Sequence, residues 1–304
     1  MKKLILAAAL SGIAGVASAQ NVTIYGAMNE YVNSTKTGST TVNGLTSDIS
    51  NIGFKIQENL GNGVTARAQI ETYLQANDPT SSGSYIGDRQ STVGLANKFG
   101  SVDLGRNVHS MFIGVASTDP FGALIGSIGN DVHTVRNYRM SNAVFLTAAP
   151  VAGLNVSYEK TMSASTTATD PYAMGASYSL GNVTLNAARY DDSVARTASN
   201  LYGGSAKFGN TTAFASFSRN TDAGVKRNGQ MYGVAQQMGA VTLKASLGKD
   251  DAGLNAYNVG AAYALSKRTT AYASYGFVQN TYRDTNDNKF SNEHTVAVGV
   301  QHKF

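Results

Sequence analysis

The segment Ile52–Gln75, with the sequence IGFKIQENLGNGVTARAQIETYLQ, alternates between apolar and polar residues on both sides of a Gly-Asn-Gly turn. Before the turn, apolar residues alternate with Gly53, Lys55 and Gln57. After the turn, the apolar side is interrupted only by Thr72, and the polar side consists of Thr65, Arg67, Gln69, Glu71 and Gln75. A period of two residues is typical of β-strands, and glycine and asparagine are suited to tight hairpins. The segment therefore predicts an antiparallel hairpin with one apolar face and one hydrophilic face.

The rest of the chain repeats this pattern with two kinds of connection. The last strand again alternates, with Val296, Val298, Val300, His302 and Phe304 on one side. Short turns are predicted at 61–63, 100–101, 150–153, 181–182, 209–210, 239–240 and 266–267, and all but the last contain glycine. Longer polar loops are predicted at 33–50, 77–88, 107–137, 161–170, 191–199, 220–228, 250–254 and 280–291. Seven short turns and eight long loops make fifteen connections, which join sixteen strands.

The alternation of short and long connections favours one β architecture over another. In a β-sandwich, nothing requires the long loops to lie at one end. A transmembrane β-barrel has short turns on one side of the membrane, longer loops on the other and an even number of strands. We therefore predict an all-β, sixteen-stranded antiparallel up-and-down barrel, wide enough to leave an aqueous channel. Aromatic residues near the strand ends are typical of membrane-interface girdles: Tyr25, Tyr31, Phe54, Phe99, Tyr178, Phe208, Tyr263, Tyr272 and Phe304.

The amino terminus predicts export from the cytoplasm. Residues 1–19 combine two lysines, an apolar run and an Ala-Ser-Ala cleavage site, which is the pattern of a signal peptide. The barrel domain is then residues 20–304, and losing Lys2 and Lys3 lowers the net charge from +5 to +3. After residue 20 no apolar run is long enough for a transmembrane helix. This mild charge, without a clustered basic stripe, argues against nucleic-acid binding.

The sequence offers no arrangement of residues suited to catalysis. The four histidines are scattered, cysteine is absent, and no His-x-x-x-His pair provides metal-ligand spacing. We therefore expect no enzymatic activity, no metal and no cofactor.

The segment Asn107–Asn137, with the sequence NVHSMFIGVASTDPFGALIGSIGNDVHTVRN, is the longest one outside the hairpin pattern. Loops of this length are uncommon and usually functional. Its apolar residues require burial, and its glycines permit tight bends. By itself it is compatible with a loop that narrows the mouth of a large barrel, or with a lid or partner-binding loop on a soluble β protein.

Several motifs resemble the trimeric general porins of Gram-negative outer membranes, and most closely the beta-proteobacterial and neisserial branch. They cover nearly the whole chain after residue 20, and their order and spacing carry the resemblance more than any one of them. They are Val22–Gly26 (VTIYG), Ile52–Gly63, Arg89–Leu95 (RQSTVGL), Leu104–Arg106 (LGR), Leu265–Thr269 (LSKRT) and the terminal Val298–Phe304 (VGVQHKF).

The resemblance implies a homotrimer in the outer membrane, in contact with lipid and lipopolysaccharide, that passes ions and small hydrophilic solutes. It also implies that the loop 107–137 folds into the lumen and that its acids, Asp119 and Asp131, oppose basic residues on the wall. The matching wall positions are Lys55, Arg67, Arg89, Arg106 and Arg139.

The alternation within the strands tests the direction of these wall residues. It supports an inward direction for Lys55 and Arg67. Arg89 shares its parity with apolar residues, and Arg139 precedes a strand with poor alternation, so their directions stay open. Asn51 occupies a position where many relatives have arginine, which weakens the basic wall.

Two further functions remain compatible with the sequence. One is a solute-specific channel of the same fold. The other is a surface adhesin or receptor barrel with a blocked lumen, although the modest loop lengths argue against it.

Overall fold

The computed structural model describes residues 20–78, 85–122, 125–133, 135, 138–162, 170–193, 195–222, 224–280 and 292–304. The predicted signal peptide, residues 1–19, lies outside the described residues, as do the inner parts of the predicted loops 77–88, 161–170 and 280–291. Within the described ranges, no helix is both long and apolar enough to cross a membrane.

Seventeen strands form a single antiparallel sheet that closes where β1 pairs with β17. From β3 onward, each strand pairs with its neighbours in the chain, and β1 pairs with β2, β3 and β17. The strands are β1 (Gln20–Thr37), β2 (Thr40–Ser47), β3 (Asn51–Gly61), β4 (Val64–Tyr73), β5 (Gln90–Asn97), β6 (Gly100–Val108), β7 (Arg139–Ala148), β8 (Leu154–Thr161), β9 (Tyr172–Leu180), β10 (Val183–Asp192), β11 (Thr197–Phe208), β12 (Thr211–Asp222), β13 (Val225–Met238), β14 (Val241–Asp250), β15 (Leu254–Ala264), β16 (Thr269–Asn280) and β17 (Glu293–Lys303).

Strands β2 and β3 together occupy one position in the barrel. The second half of β1 pairs with β2, and its first half pairs with β3. A break at residues 48–50 separates the two, and Ile49 there has a φ of 52°. The seventeen strands therefore fill sixteen positions, and the predicted sixteen-stranded up-and-down barrel is confirmed.

Two predicted long loops are wrong. The loop predicted at 33–50 is mostly a β-hairpin, because β1 and β2 are joined by a two-residue turn at Gly38 and Ser39. The loop predicted at 220–228 is largely strand, because β12 extends to Asp222 and β13 begins at Val225. The ends of these strands are polar on both faces, so their sequences lack the alternation of apolar and polar residues that predicts a strand.

The two faces of the wall differ as the alternation predicts. Apolar side chains on the outer face are exposed, and Ile24 and Val298 retain about 60% of their accessible area. Their neighbours in the chain point inward, where Ala297 and Asn29 are buried. Two members of the predicted aromatic girdles are corrected. Tyr25 donates a hydrogen bond to Glu71 and Tyr272 to Asn29, both on the inward face, because their parity in the strands is that of the lumen.

Candidate functional site

The connection between β6 and β7 enters the barrel and carries two short helices, α1 (Ser110–Ser117) and α2 (Gly129–Val132). Helix α1 packs on β8–β11, and α2 packs on β13–β15. The third loop therefore lies along the inner wall of one arc of the barrel. Met140, Ala143 and Phe145 of β7 also pack in the cluster around α1, so β3–β6 is the arc that the two helices leave uncovered. This is the inward-folded loop that the sequence predicts.

Apolar side chains hold the loop against the wall. Met111 and Val115 of α1 are fully buried in a cluster with Tyr190 and Leu201. Around α2, a second cluster contains Ile128, Val132, Met231, Leu254 and Ala256. Burying a large apolar side chain stabilises a fold by about 1.5–3 kcal/mol, so these contacts hold the loop in a defined position against the wall.

Glycines on the inner face of the wall let the loop approach the strands closely. A Cβ atom added at Gly233 would lie 2.6 Å from Cδ of Pro120, and one added at Gly203 would lie 2.9 Å from Cγ2 of Thr118. Real Cβ contacts of this length are excluded by sterics. The wall glycines that face the loop in this way are Gly175, Gly203, Gly229, Gly233, Gly248 and Gly260.

His133 fixes the far end of the loop to β12. Its Nδ1 lies 2.8 Å from Oγ of Ser218, its Nε2 lies 2.8 Å from Oγ of Ser216, and its carbonyl accepts a hydrogen bond from Asn220. The imidazole is fully buried, and this burial lowers the pKa of His133 to about 4. The ring is therefore neutral at pH 7 and serves as a structural anchor.

The two acids of the loop have different environments. Asp119 is buried, and its Oδ1 accepts a hydrogen bond from the backbone of Phe121. Its Oδ2 accepts hydrogen bonds from Oγ of Ser127 and the backbone of Gly129. Asp119 thus faces the interior of its own loop, in contrast to the sequence-based expectation, because three donors surround it there. Asp131 is exposed on α2.

The expected basic residues of the wall lie on the neighbouring strands β3, β4, β6 and β7 and, for Arg89, directly before β5. Lys55 of β3 lies with its Nζ 4.6 Å from the centroid of the Tyr25 ring. Arg67 of β4 forms an ion pair with Asp103 of β6, and its Nε donates a hydrogen bond of 2.6 Å to Oδ1. Both point inward, as their parity in the strands predicts.

Arg89 and Arg139 converge on one tyrosine. Arg89 forms an ion pair with Glu71 and lies 4.4 Å above the ring of Tyr73. Arg139, the first residue of β7, lies 5.3 Å from the same ring and donates a hydrogen bond of 2.9 Å to its hydroxyl. The parity of Arg89 was misleading because β5 begins only at Gln90, so Arg89 is not held by the alternation of that strand.

Arg106 lies close to this group. Its Nε donates to the carbonyl of Asp88 at 2.7 Å, and its Nη1 donates to Oγ of Ser141. In the pairing of β6 with β7, the register shifts between Gly105 and Asn107, so Arg106 lies at an irregularity of the strand. Such β-bulges re-aim side chains near functional sites.

Sequence reasoning missed the acids that accompany the basic wall. Glu71 and Asp103 lie beside Arg89 and Arg67 and neutralise them in part. The signal was present, since Glu71 stands on the polar side of an alternating strand and Asp103 stands between two apolar residues. Among the described residues, no group of three or more His, Asp and Glu side chains could hold a metal ion.

Comparisons with known proteins identify the family of this barrel. The family model described as Gram-negative porin matches residues 6–283. An outer membrane porin protein of Bordetella pertussis is 27% identical, and the major outer membrane protein P.IB of Neisseria meningitidis is 28% identical, each over the full length of both chains.

The fold is also shared with solved structures. The anion-selective porin from Comamonas acidovorans superposes with a TM-score of 0.79 at 21% identity, covering 94% of this chain and 100% of that one. The chain thus belongs to the Gram-negative porin family and is a passive diffusion channel of the outer membrane.

Proposed function

We propose that the loop 107–137 and the basic wall opposite it form the constriction of the channel, and that this constriction favours anions. The observation that carries the proposal is the collection of five basic residues along β3–β7, on the side of the barrel where the two helices of the loop leave β3–β6 uncovered: Lys55, Arg67, Arg89, Arg106 and Arg139. A basic wall facing the lumen raises the local concentration of anions.

The balance of charge supports this preference. Asp103 and Glu71 pair with Arg67 and Arg89. In the described part of the chain, Lys55, Arg106 and Arg139 have no ion-pair partner. On the loop side, Asp119 is enclosed, so Asp131 is the loop acid left facing solvent. The positive charge of the wall therefore exceeds the negative charge opposite it.

The structural neighbour from Comamonas acidovorans is described as anion-selective. At 21% identity the similarity shows the fold alone. The anion preference proposed for this chain follows from the charges of its own side chains. Asn51 leaves one wall position neutral, which limits the strength of the preference.

The test is the reversal potential of refolded protein in a planar bilayer under a potassium chloride gradient. We expect a potential of the sign that chloride permeation produces. Arg106→Gln combined with Arg139→Gln should lower the chloride preference about twofold per charge, because a unit charge about 8 Å away in water contributes roughly 0.5 kcal/mol. Arg189→Gln is the matched control, since Arg189 is on the outer face and paired with Asp191. A wild-type potential of the cation sign would overturn the proposal.

Proteins of this family are channels, and we propose that this chain likewise acts by diffusion without catalysis. One arrangement could suggest otherwise, because His133 contacts Ser216 and Ser218 as a general base contacts a nucleophile. All three side chains are buried, and a substrate atom therefore has no access to them. Activity on ester substrates that disappears in Ser216→Ala would contradict this part of the proposal.

We also propose a homotrimer surrounded by lipopolysaccharide. On the outer face, Glu30 accepts a hydrogen bond of 2.6 Å from Ser47, while its Oε2 is buried without a hydrogen-bond partner among the described residues. A carboxylate is costly in a lipid-facing wall, so protein from a neighbouring copy is the better cover for this region. Arg219, exposed on the outer face beside Phe217, suits the phosphates of the outer leaflet. Light scattering of the detergent-purified protein would distinguish a trimer from a monomer.

We finally propose cleavage after Ala19, which makes Gln20 the mature amino terminus. The support is the sequence itself, in which Ala17, Ser18 and Ala19 follow the apolar run as a cleavage site requires. Intact-mass measurement of protein isolated from outer membranes tests this, and a mass that retains residues 1–19 would contradict it.

A further inference from the structure

A cavity of about 340 Å³ lies between the tip of the third loop and the inner wall. The loop contributes Phe121 and Ile125, and the strands β14, β16 and β17 contribute Thr242, Lys244, Tyr272 and Gln301. Small-molecule sites typically enclose about 300–1,000 Å³, so this cavity suits a small organic solute. It is on the loop side of the lumen, away from the basic wall.

Lys244 brings a positive charge into this cavity. Its side chain is partly buried, and its Nζ lies 5.5 Å from the centroid of the Phe121 ring. Within the described residues Lys244 takes part in no ion pair. The acid that acts on it electrostatically is Asp119, and both oxygens of that carboxylate accept hydrogen bonds from the loop itself. The ammonium group is therefore available to an anion from the lumen.

The remaining lining is largely apolar or neutral. Phe121 and Ile125 present hydrocarbon to the cavity. The hydroxyl of Tyr272 already donates a hydrogen bond of 2.8 Å to Asn29, which leaves its ring as the surface that a solute meets. Thr242 and Gln301 supply neutral polar groups. One cation beside two aromatic rings matches a compact solute with one carboxylate and an apolar body.

We propose that this cavity is a transit site for small aromatic carboxylates, with benzoate as the model solute. The carboxylate contacts the ammonium group of Lys244, and the aromatic ring packs against Phe121 and Ile125. The inference rests on the proposed anion-favouring constriction, because the basic wall would deliver anions to this side of the loop. It deepens that function by naming a class of solute and a second cation that receives it.

The test is the blockade of single-channel current by sodium benzoate in a planar bilayer. We expect the wild type to show brief concentration-dependent blockades, and Lys244→Gln to raise the apparent dissociation constant of benzoate about tenfold, since hydrogen bonds to charged groups are among the strong ones. Lys244→Arg should keep most of the effect because it keeps the charge. Lys249→Gln is the matched control, because Lys249 is on the same strand and exposed on the opposite face.

Three results would overturn the inference while leaving the channel function intact. The first is an open channel that benzoate does not block. The second is equal blockade of wild type and Lys244→Gln. The third is equal blockade by benzyl alcohol, which has the ring without the charge.

The outcome of the constriction test is separate. If the reversal potential has the cation sign but the blockade still depends on Lys244, the proposed anion preference fails and the transit site stands. The mobility of unheated samples on denaturing gels shows that each variant is a folded barrel before it is compared.

Discussion

The guanidinium of Arg139 donates a hydrogen bond of 2.9 Å to the hydroxyl of Tyr73, and the guanidinium of Arg89 lies 4.4 Å from the centroid of the same ring. A lumen-facing aromatic side chain thereby holds two cations that would otherwise repel each other. Cation–π contacts contribute about 0.5–2 kcal/mol depending on exposure. The local concentration of positive charge therefore depends on Tyr73 as much as on the arginines.

Substituting Tyr73 separates the two interactions. Tyr73→Phe removes only the hydroxyl, so we expect the chloride preference to persist. Tyr73→Leu also removes the ring, and we expect it to lower the free energy of unfolding by about 1–3 kcal/mol, because two cation–π contacts are lost. Urea unfolding in lipid vesicles, followed by gel mobility, measures the difference. Equal stability of the two variants would contradict a role for the ring.

The two loop acids predict opposite phenotypes. Asp119→Ala leaves the donors of Phe121, Ser127 and Gly129 without their acceptor, at a cost of about 1.5–3 kcal/mol for each charged hydrogen bond, so we expect a loosened loop and larger open-channel current noise. Asp131→Asn removes an exposed charge, so we expect a shift of the reversal potential toward anions without added noise. A shift in potential from Asp119→Ala with no change in noise would contradict this assignment.

Because the loop lies directly against the wall at Gly233, we predict that a larger residue there narrows or distorts the pore. A Cβ there already conflicts with Pro120, and overpacking typically costs about 1–3 kcal/mol. We expect Gly233→Val to displace the loop toward the lumen and lower single-channel conductance. Ala235→Val, on the same face of β13, is the control and should conduct normally. Unchanged conductance in Gly233→Val would mean that the loop can move without affecting the pore.

The anchor at His133 predicts a response to acid. Its pKa is lowered from an ordinary value of 6.5 to about 4 in the seated loop. A detached loop therefore binds a proton more readily than a seated one. The stability of the seated state is complete above pH 6.5 and declines by up to about 1.4 kcal/mol per pH unit as the pH falls toward 4.

The measurement is open-channel noise and loop-dependent gating between pH 7 and pH 4. We expect both to increase on acidification in the wild type. His133→Gln keeps polar groups toward the two serines but does not titrate, so its noise should not depend on pH. A pH response of equal size in His133→Gln would assign the effect to other groups.

The parts of the fold that separate lipid from water were predictable from sequence. Val64–Gln75 alternates because one face meets hydrocarbon and the other the lumen, and Lys55 and Arg67 follow from that rule. The rule fails near the turn of the β1–β2 hairpin, where polar residues stand on both faces of the strands. It also fails for Arg89, which precedes its strand. Asp119 could not be placed because the direction of a loop side chain depends on the donors that the folded loop brings to it.

The loop occupies one arc of the barrel, and the basic residues occupy the other. Residues that keep the loop in place, such as His133 and Gly233, are therefore different from the residues that we propose passing solutes meet, such as Lys55 and Arg139. Among the described residues, no contact joins His133 or Gly233 to Lys55 or Arg139, so we expect substitutions in one set to leave the other largely undisturbed. Natural variation can thus alter which nutrients enter the cell at little risk to assembly, and the same separation offers an engineer a surface to redesign.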